Sequence, residues 1–349
     1  MIVTWNGPVI SLGMKVVPAL AAGNCVVVKP SEFTPFSPDL FAQLLREAGV
    51  PQGVCTILTG GPEAGAALVR HPKVAKVSFA GGPVAARQIM HACADQLKPA
   101  VLELGGKTAS LVFPDAGDLD AVANRAVRDC IGVLAGQGCA VPSRLIVHED
   151  IHDEMVERVT AIAATYKVGD PFDPEVKVGP LINAAAVERV CGMLDRVRRD
   201  GAGRIVLGGS KAGGDLADKN FVEPTIIVDT DPDHEIAQTE IFGPVLLIFK
   251  FSTDDEAVAL ANSTPYGLGA NIQSTNLIGK AGGPGSTNSC ATRRFPSSSR
   301  SRPKGAEAIP RPLFYVHLKP QWRHRDNRAA VRHRLGRRHP TRRSARAAG

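Results

Sequence analysis

Seven cysteines occur in the 349-residue chain, and one of them, Cys139, sits in a setting suited to covalent chemistry. Gly136-Gln137-Gly138-Cys139 follows a stretch of helical spacing, and its glycines leave room for substrate and for close backbone approach. A thiolate adds readily to a carbonyl carbon and forms a tetrahedral adduct from which hydride can leave. A lone cysteine is more often a small buried hydrophobe. The other six (Cys25, Cys55, Cys93, Cys130, Cys191 and Cys290) keep that reading.

Four further segments hold polar residues at the ends of apolar runs. In Leu102-Glu103-Leu104-Gly105-Gly106-Lys107 the Glu103 carboxylate ends a strand and precedes two glycines, so it can swing between proton-transfer tasks. Burial would lift its pKa toward a useful range; a structural ion pair, with Lys107 four residues on, is the competing use. Asn6, in Thr4-Trp5-Asn6-Gly7-Pro8, reads locally as a turn former. Lys29-Pro30-Ser31-Glu32 can be an ordinary loop and helix cap. In Glu240-Ile241-Phe242-Gly243-Pro244 the aromatic ring would, on its own, be core.

In this order and spacing the segments resemble the aldehyde dehydrogenase superfamily. Thr264-Pro265-Tyr266-Gly267-Leu268 adds a turn similar to the family's Tyr-Gly-Leu, and the resemblance spans roughly residues 1–273. It implies NAD-dependent oxidation of an aldehyde to a carboxylic acid. Cys139 would be the nucleophile, Glu103 the general base, and Asn6 would work with the Cys139 backbone N–H as the oxyanion donor. Trp5, Lys29, Ser31, Glu32, Gly81, Gly82, Leu104, Glu240 and Phe242 would hold the cofactor. Glu32 would accept the adenosine-ribose hydroxyls and repel a 2′-phosphate, favouring NAD over NADP. Phe79-Ala80-Gly81-Gly82 resembles the family's Phe-Thr-Gly-Ser turn, whose following helix faces the pyrophosphate. Here Gly82 replaces the hydroxyl residue, Ala86 stands where Gly is common, and Pro83 suits a first helical position. Thr4 replaces a usual Pro, and Leu134 stands where the family often has Asn.

The elements that must position these residues alternate. Strands are predicted over Cys25–Val28, Val54–Leu58, Lys76–Phe79 and Ala100–Leu104. Helices are predicted over Pro38–Glu47 (Leu40, Leu44 and Leu45 on one face), Glu63–Arg70 and Pro83–Ala94. A second series places strands at Ala109–Phe113, Arg144–His148, Arg204–Leu207, Thr225–Val228 and Val245–Phe251, with helices at Leu119–Val133, Ile151–Tyr166 and Val187–Arg199. The rhythm predicts an α/β fold with parallel sheets. Its parts are an incomplete Rossmann-like cofactor domain (1–104), a shortened catalytic domain (105–274) and a disordered basic tail (275–349).

Charge divides the chain at the same place. Residues 275–349 hold 18 basic residues against two acids, net +16, while residues 1–274 hold 23 against 32, net −9. The tail's Gly, Pro, Ser and Arg content suggests a reading-frame change near residue 274; a nucleic-acid arm is the less favoured use. The cysteines lack CxxC spacing, which fits a reduced, cytoplasmic setting. Val16–Val28, the longest apolar stretch, is too short to cross a bilayer, and with no basic residue before Lys15 it does not read as a signal peptide. The nine histidines lack ligand spacing with cysteine, so no metal is expected. The resemblance implies a small aldehyde substrate, no membrane partner and a homo-oligomeric family. Its members are longer at both ends, and an inactive remnant is therefore the alternative to an active enzyme.

Overall fold

The computed structural model describes residues 1–276; the tail expectations fall beyond residue 274 and so lie almost wholly outside it. The first four helices are α1 (Pro8–Ala21), α2 (Phe36–Glu47), α3 (Pro62–Arg70) and α4 (Pro83–Ala94). With them alternate β1 (Val26–Val28), β2 (Cys55–Ile57), β3 (Val77–Ala80) and β4 (Ala100–Glu103). β1 pairs in parallel with β2, and β3 with β4. Ile2 bridges Lys29 on one side and Phe79 on the other, so the chain start joins the pairs into one parallel layer ordered β2–β1–Ile2–β3–β4. Strand order therefore reverses between Met1–Val3 and β3, and residues at the carboxyl ends of strands meet beside that point.

A six-stranded sheet follows, in the order β12–β5–β6–β11–β10–β9. Its strands are β5 (Ala109–Val112), β6 (Arg144–His148), β9 (Arg204–Leu207), β10 (Thr225–Val228), β11 (Val245–Phe251) and β12 (Ala270–Gln273). All pairings are parallel except β9 with β10. β5 and β10 are buried at every position, which suits a sheet covered on both faces. The covering helices include α5 (Leu119–Val127), α6 (Glu149–Ala164), α7 (Ala184–Asp200) and α9 (Asp254–Ala261). The described elements also include a short ribbon of β7 (Lys167–Val168) and β8 (Val176–Val178) and the one-turn α8 (Glu235–Gln238).

Three features depart from the sequence reading. The helix expected over Leu119–Val133 is α-helical only to Val127. It widens into a π turn over Arg128–Gly132 and then enters a left-handed turn at Leu134, which no continuing helix can accommodate. The predicted apolar face of α2 is not buried, since Leu40 and Leu44 are both more than half exposed and Pro38 and Ala42 turn inward instead. The apolar stretch Val16–Val28 is the end of α1, a turn and β1; α1, α9 and β12 carried no recognised signal.

Candidate active site

Residues singled out in the sequence gather at the carboxyl edges of the first sheet and against the turn before Cys139. Gly105 and Gly106 set this contact. A Cβ on Gly106 would collide with the main-chain carbonyl of Cys139, and one on Gly105 would meet the Glu240 carboxylate. The Gly106 N–H donates to Glu240 Oε1 at 3.0 Å. Asn6 reaches the same turn, its side-chain amide donating to the Gln137 carbonyl at 2.9 Å. Trp5 and Phe242 meet edge to face, with ring centroids 5.6 Å apart.

Cys139 is exposed to solvent, yet its thiol is held above the ordinary range. Desolvation is the first cause and the negative charge of Glu240 the second. The backbone amides of Ala140 and Cys139 pull it back, and Glu103 adds a further upward push. Glu240 is itself raised by burial, opposed by the Gly106 N–H and by the charges of Arg189 and Lys107. Glu103 is exposed rather than buried as expected. The competing ion pair with Lys107 is not formed: Lys107 is buried and its Nζ donates to the Ile236 carbonyl at 2.7 Å. Glu103 acts instead on Lys15, whose ammonium burial pushes down while the Glu103 charge pulls it up. Lys15 Nζ donates to Ser78 Oγ at 2.9 Å.

The other sequence-selected residues lie along the first sheet. Lys29 is buried and pairs with Glu32 at 2.9 Å, which holds the Glu32 carboxyl below its usual range. Ser31 Oγ accepts the Phe33 N–H at 3.3 Å, fixing the turn after β1. Gly81 donates its N–H to the Glu103 carbonyl at 3.0 Å, tying the ends of β3 and β4 together. Gly82 is the N-cap of α4 and offers no side-chain cap, as expected from its lack of a hydroxyl, and Pro83 opens the helix. Leu104 packs against the cluster around Phe79. Among the described residues no group of three His, Cys, Asp or Glu could hold a metal, and no helix is long and apolar enough to cross a membrane.

The aldehyde dehydrogenase family profile matches residues 1–280. The chain belongs to the aldehyde dehydrogenase family. It is 43% identical over 278 residues to aldehyde dehydrogenase family 2 member C4 of Arabidopsis thaliana, covering 79% of this chain and 54% of that protein. It is 41% identical, over the same shares, to peroxisomal aminoaldehyde dehydrogenase 2 of Pisum sativum. Among solved structures it resembles γ-glutamyl-γ-aminobutyraldehyde dehydrogenase of Burkholderia cenocepacia, with 42% identity and a TM-score of 0.75 over 79% of this chain and 55% of that one. It also resembles a mutant of aldehyde dehydrogenase C of Pseudomonas syringae, solved with NAD+ and octanal. The identity there is 37% and the TM-score 0.77, over 80% of this chain and 58% of the other. This aldehyde dehydrogenase chain thus spans about half the length of the relatives it matches.

Several supporting contacts of this family member have no signal in the sequence. Arg189 donates to the carbonyls of Ile241 and Phe242, bracing the segment that carries Glu240. Tyr266 Oη accepts the Glu240 N–H at 3.3 Å, which gives the Tyr-Gly-Leu turn a physical role. The buried Arg144 donates to the Lys107, Leu260 and Ala261 carbonyls and to Ser263 Oγ, fastening the link between the sheets to the turn before Tyr266. Each contact joins segments far apart in sequence, where no local spacing can signal it.

Proposed function

We propose that this chain carries the site for NAD-dependent oxidation of an aldehyde to a carboxylic acid, with residues 1–104 binding the cofactor and 105–274 presenting the thiol. The observation that carries this reading is the convergence of Asn6, Gly106 and Glu240 on the turn that ends in Cys139. The residues present fit the cofactor. The N-terminus of α4 has no side-chain cap, the space around Gly82 is open, and Glu32 is held as a carboxylate at the end of β1. When bound, NAD supplies the hydride acceptor.

Cys139 Sγ forms the bond to the aldehyde carbon, and the Asn6 amide and the Cys139 backbone N–H stabilise the oxygen as it becomes negative. Loss of hydride leaves a thioester on Cys139. Glu103 then takes a proton from the water that attacks the thioester carbon, and the acid departs as the thiol is restored. Because the thiol titrates above the ordinary range, it needs a base before attack, and Glu103 is the exposed carboxylate within electrostatic reach. Trp5 and Phe242 form an aromatic wall, and Lys29 orients Glu32. Ser31, Gly81, Gly82 and Leu104 shape the cofactor's side of the crevice.

The test is NADH absorbance with a panel of aldehydes, using Cys139→Ala as control. Turnover abolished by that substitution is expected, and equal absence of signal in both proteins overturns the reading. A second reading, a folded chain without turnover, draws on the exposed apolar face of α1, formed by Val9, Ile10, Met14 and Val17. Such patches are unusual on a self-sufficient surface.

A further inference from the structure

The turn that delivers Cys139 is left-handed at three successive residues: Leu134 at φ 52°, Ala135 at φ 51° and Gly136 at φ 74°. Glycine accepts that conformation freely, but Leu and Ala do so at a cost of about 1 kcal/mol each. The Leu134 side chain, 53% exposed, has no core to compensate it. Something else must hold the turn.

Gln137 is placed to do so. It is 4% exposed, and its side-chain amide has three partners on two segments. Nε2 donates to the Leu134 carbonyl at 2.9 Å and to the Pro180 carbonyl at 3.2 Å, while Oε1 accepts the Ile182 N–H at 2.9 Å. Its main-chain N–H also donates to the Leu134 carbonyl, at 3.1 Å, and its main-chain carbonyl receives Asn6. Both donors and the acceptor of the amide are used, an arrangement that a carboxylate or a hydrocarbon of the same size cannot reproduce.

We propose that Gln137 is a positioning residue, whose side-chain amide clamps the left-handed turn Leu134–Gly136 onto the 180–182 loop and thereby sets both Cys139 and Asn6. The clamp acts through the turn and touches neither substrate nor cofactor. It rests on the reading of Cys139 as the nucleophile, and its test does not need turnover.

The experiment measures the rate at which iodoacetamide alkylates Cys139 in the full chain, iodide leaving as the thioether forms, with the Cys139 peptide quantified by mass spectrometry. Gln137→Leu should slow alkylation by about fivefold or more, because a misplaced turn withdraws the amides that favour the thiolate. Adding Leu134→Gly should restore the rate to within about twofold, since glycine adopts the left-handed turn without a clamp. A merely structural role for Gln137 predicts no such rescue. Should Gln137→Leu fail to fold, Gln137→Glu serves in its place. It keeps the acceptor for Ile182, opposes the two carbonyls, and should show the same loss and the same rescue. An unchanged rate in the folded single variant, or no rescue in the double variant, overturns the proposal. Normal clamp behaviour with no NADH formation would instead refute the oxidation reading and leave the clamp standing.

Discussion

The backbone N–H of Gly106 donates to the Glu240 carboxylate at 3.0 Å, and the same glycine lies against the Cys139 carbonyl with no room for a methyl group. The two neighbouring glycines therefore predict different outcomes. Gly106→Ala drives a methyl into main chain that cannot move and should cost about 3 kcal/mol. Gly105→Ala meets only the end of the Glu240 side chain, which can swing away. Its cost should be about 1 kcal/mol, the worth of the lost hydrogen bond. Denaturant midpoints separate the two; equal losses would contradict the packing.

A stabilising substitution is also expected. Leu134 is exposed and left-handed, and it stands where Asn tolerates the backbone far better. Leu134→Asn should raise stability by about 1 kcal/mol, read as a higher melting temperature. Leu134→Val should lower it, because a β-branched side chain is worse still at positive φ.

The legible parts of the fold were those where one local pattern decides the element. β6, β9, β10, β11 and α4 have the same bounds in the sequence reading and in the structure, because each strand is built on a short run of apolar, largely β-branched residues and α4 starts at a proline after glycines. α1 was hidden because Gly13 and Pro18 interrupt its spacing and its end merges with the apolar run into β1. β12, Ala270–Gln273, has no strand pattern and exists by pairing with β5. Cys139, Asn6 and Glu240 each lie in a dense short motif, and the structure brings those motifs together around one turn. The competing ion pair of Glu103 with Lys107 does not form, because the Lys107 ammonium turns to the Ile236 carbonyl, far away in sequence. Gln137 and Arg189 could not be found from sequence, since their partners Ile182 and Ile241 lie 45 and 52 residues away.

The charge of Glu240 is a cause of the raised Cys139 thiol, second to desolvation. Glu240→Gln keeps an oxygen acceptor for the Gly106 N–H while removing that charge. The thiolate is then less opposed, so its pKa falls and alkylation at neutral pH should accelerate by about threefold. The pH–rate profile of iodoacetamide labelling checks this. A slower reaction, with the inflection moved upward, would mean that Glu240 favours the thiolate.

Lys107 predicts a pH dependence of stability. It is 2% exposed, and its ammonium is pushed down to about 7, first by burial and then by the charge of Arg144, with Cys130 and Glu240 opposing. In the unfolded chain a lysine titrates near about 10.4. Below the folded value both states carry the proton, and the native state bears the full burden of a buried charge. Between about 7 and about 10 the unfolded state holds one proton more than the native state, so native stability rises with pH by up to about 1.4 kcal/mol per unit. Lys107→Met lacks that slope. It also removes the donor to the Ile236 carbonyl at every pH, a constant offset. Urea denaturation of both proteins at several pH values across this window should show the wild type gaining on the variant as pH rises. Parallel curves would mean that Lys107 stays charged in the native protein.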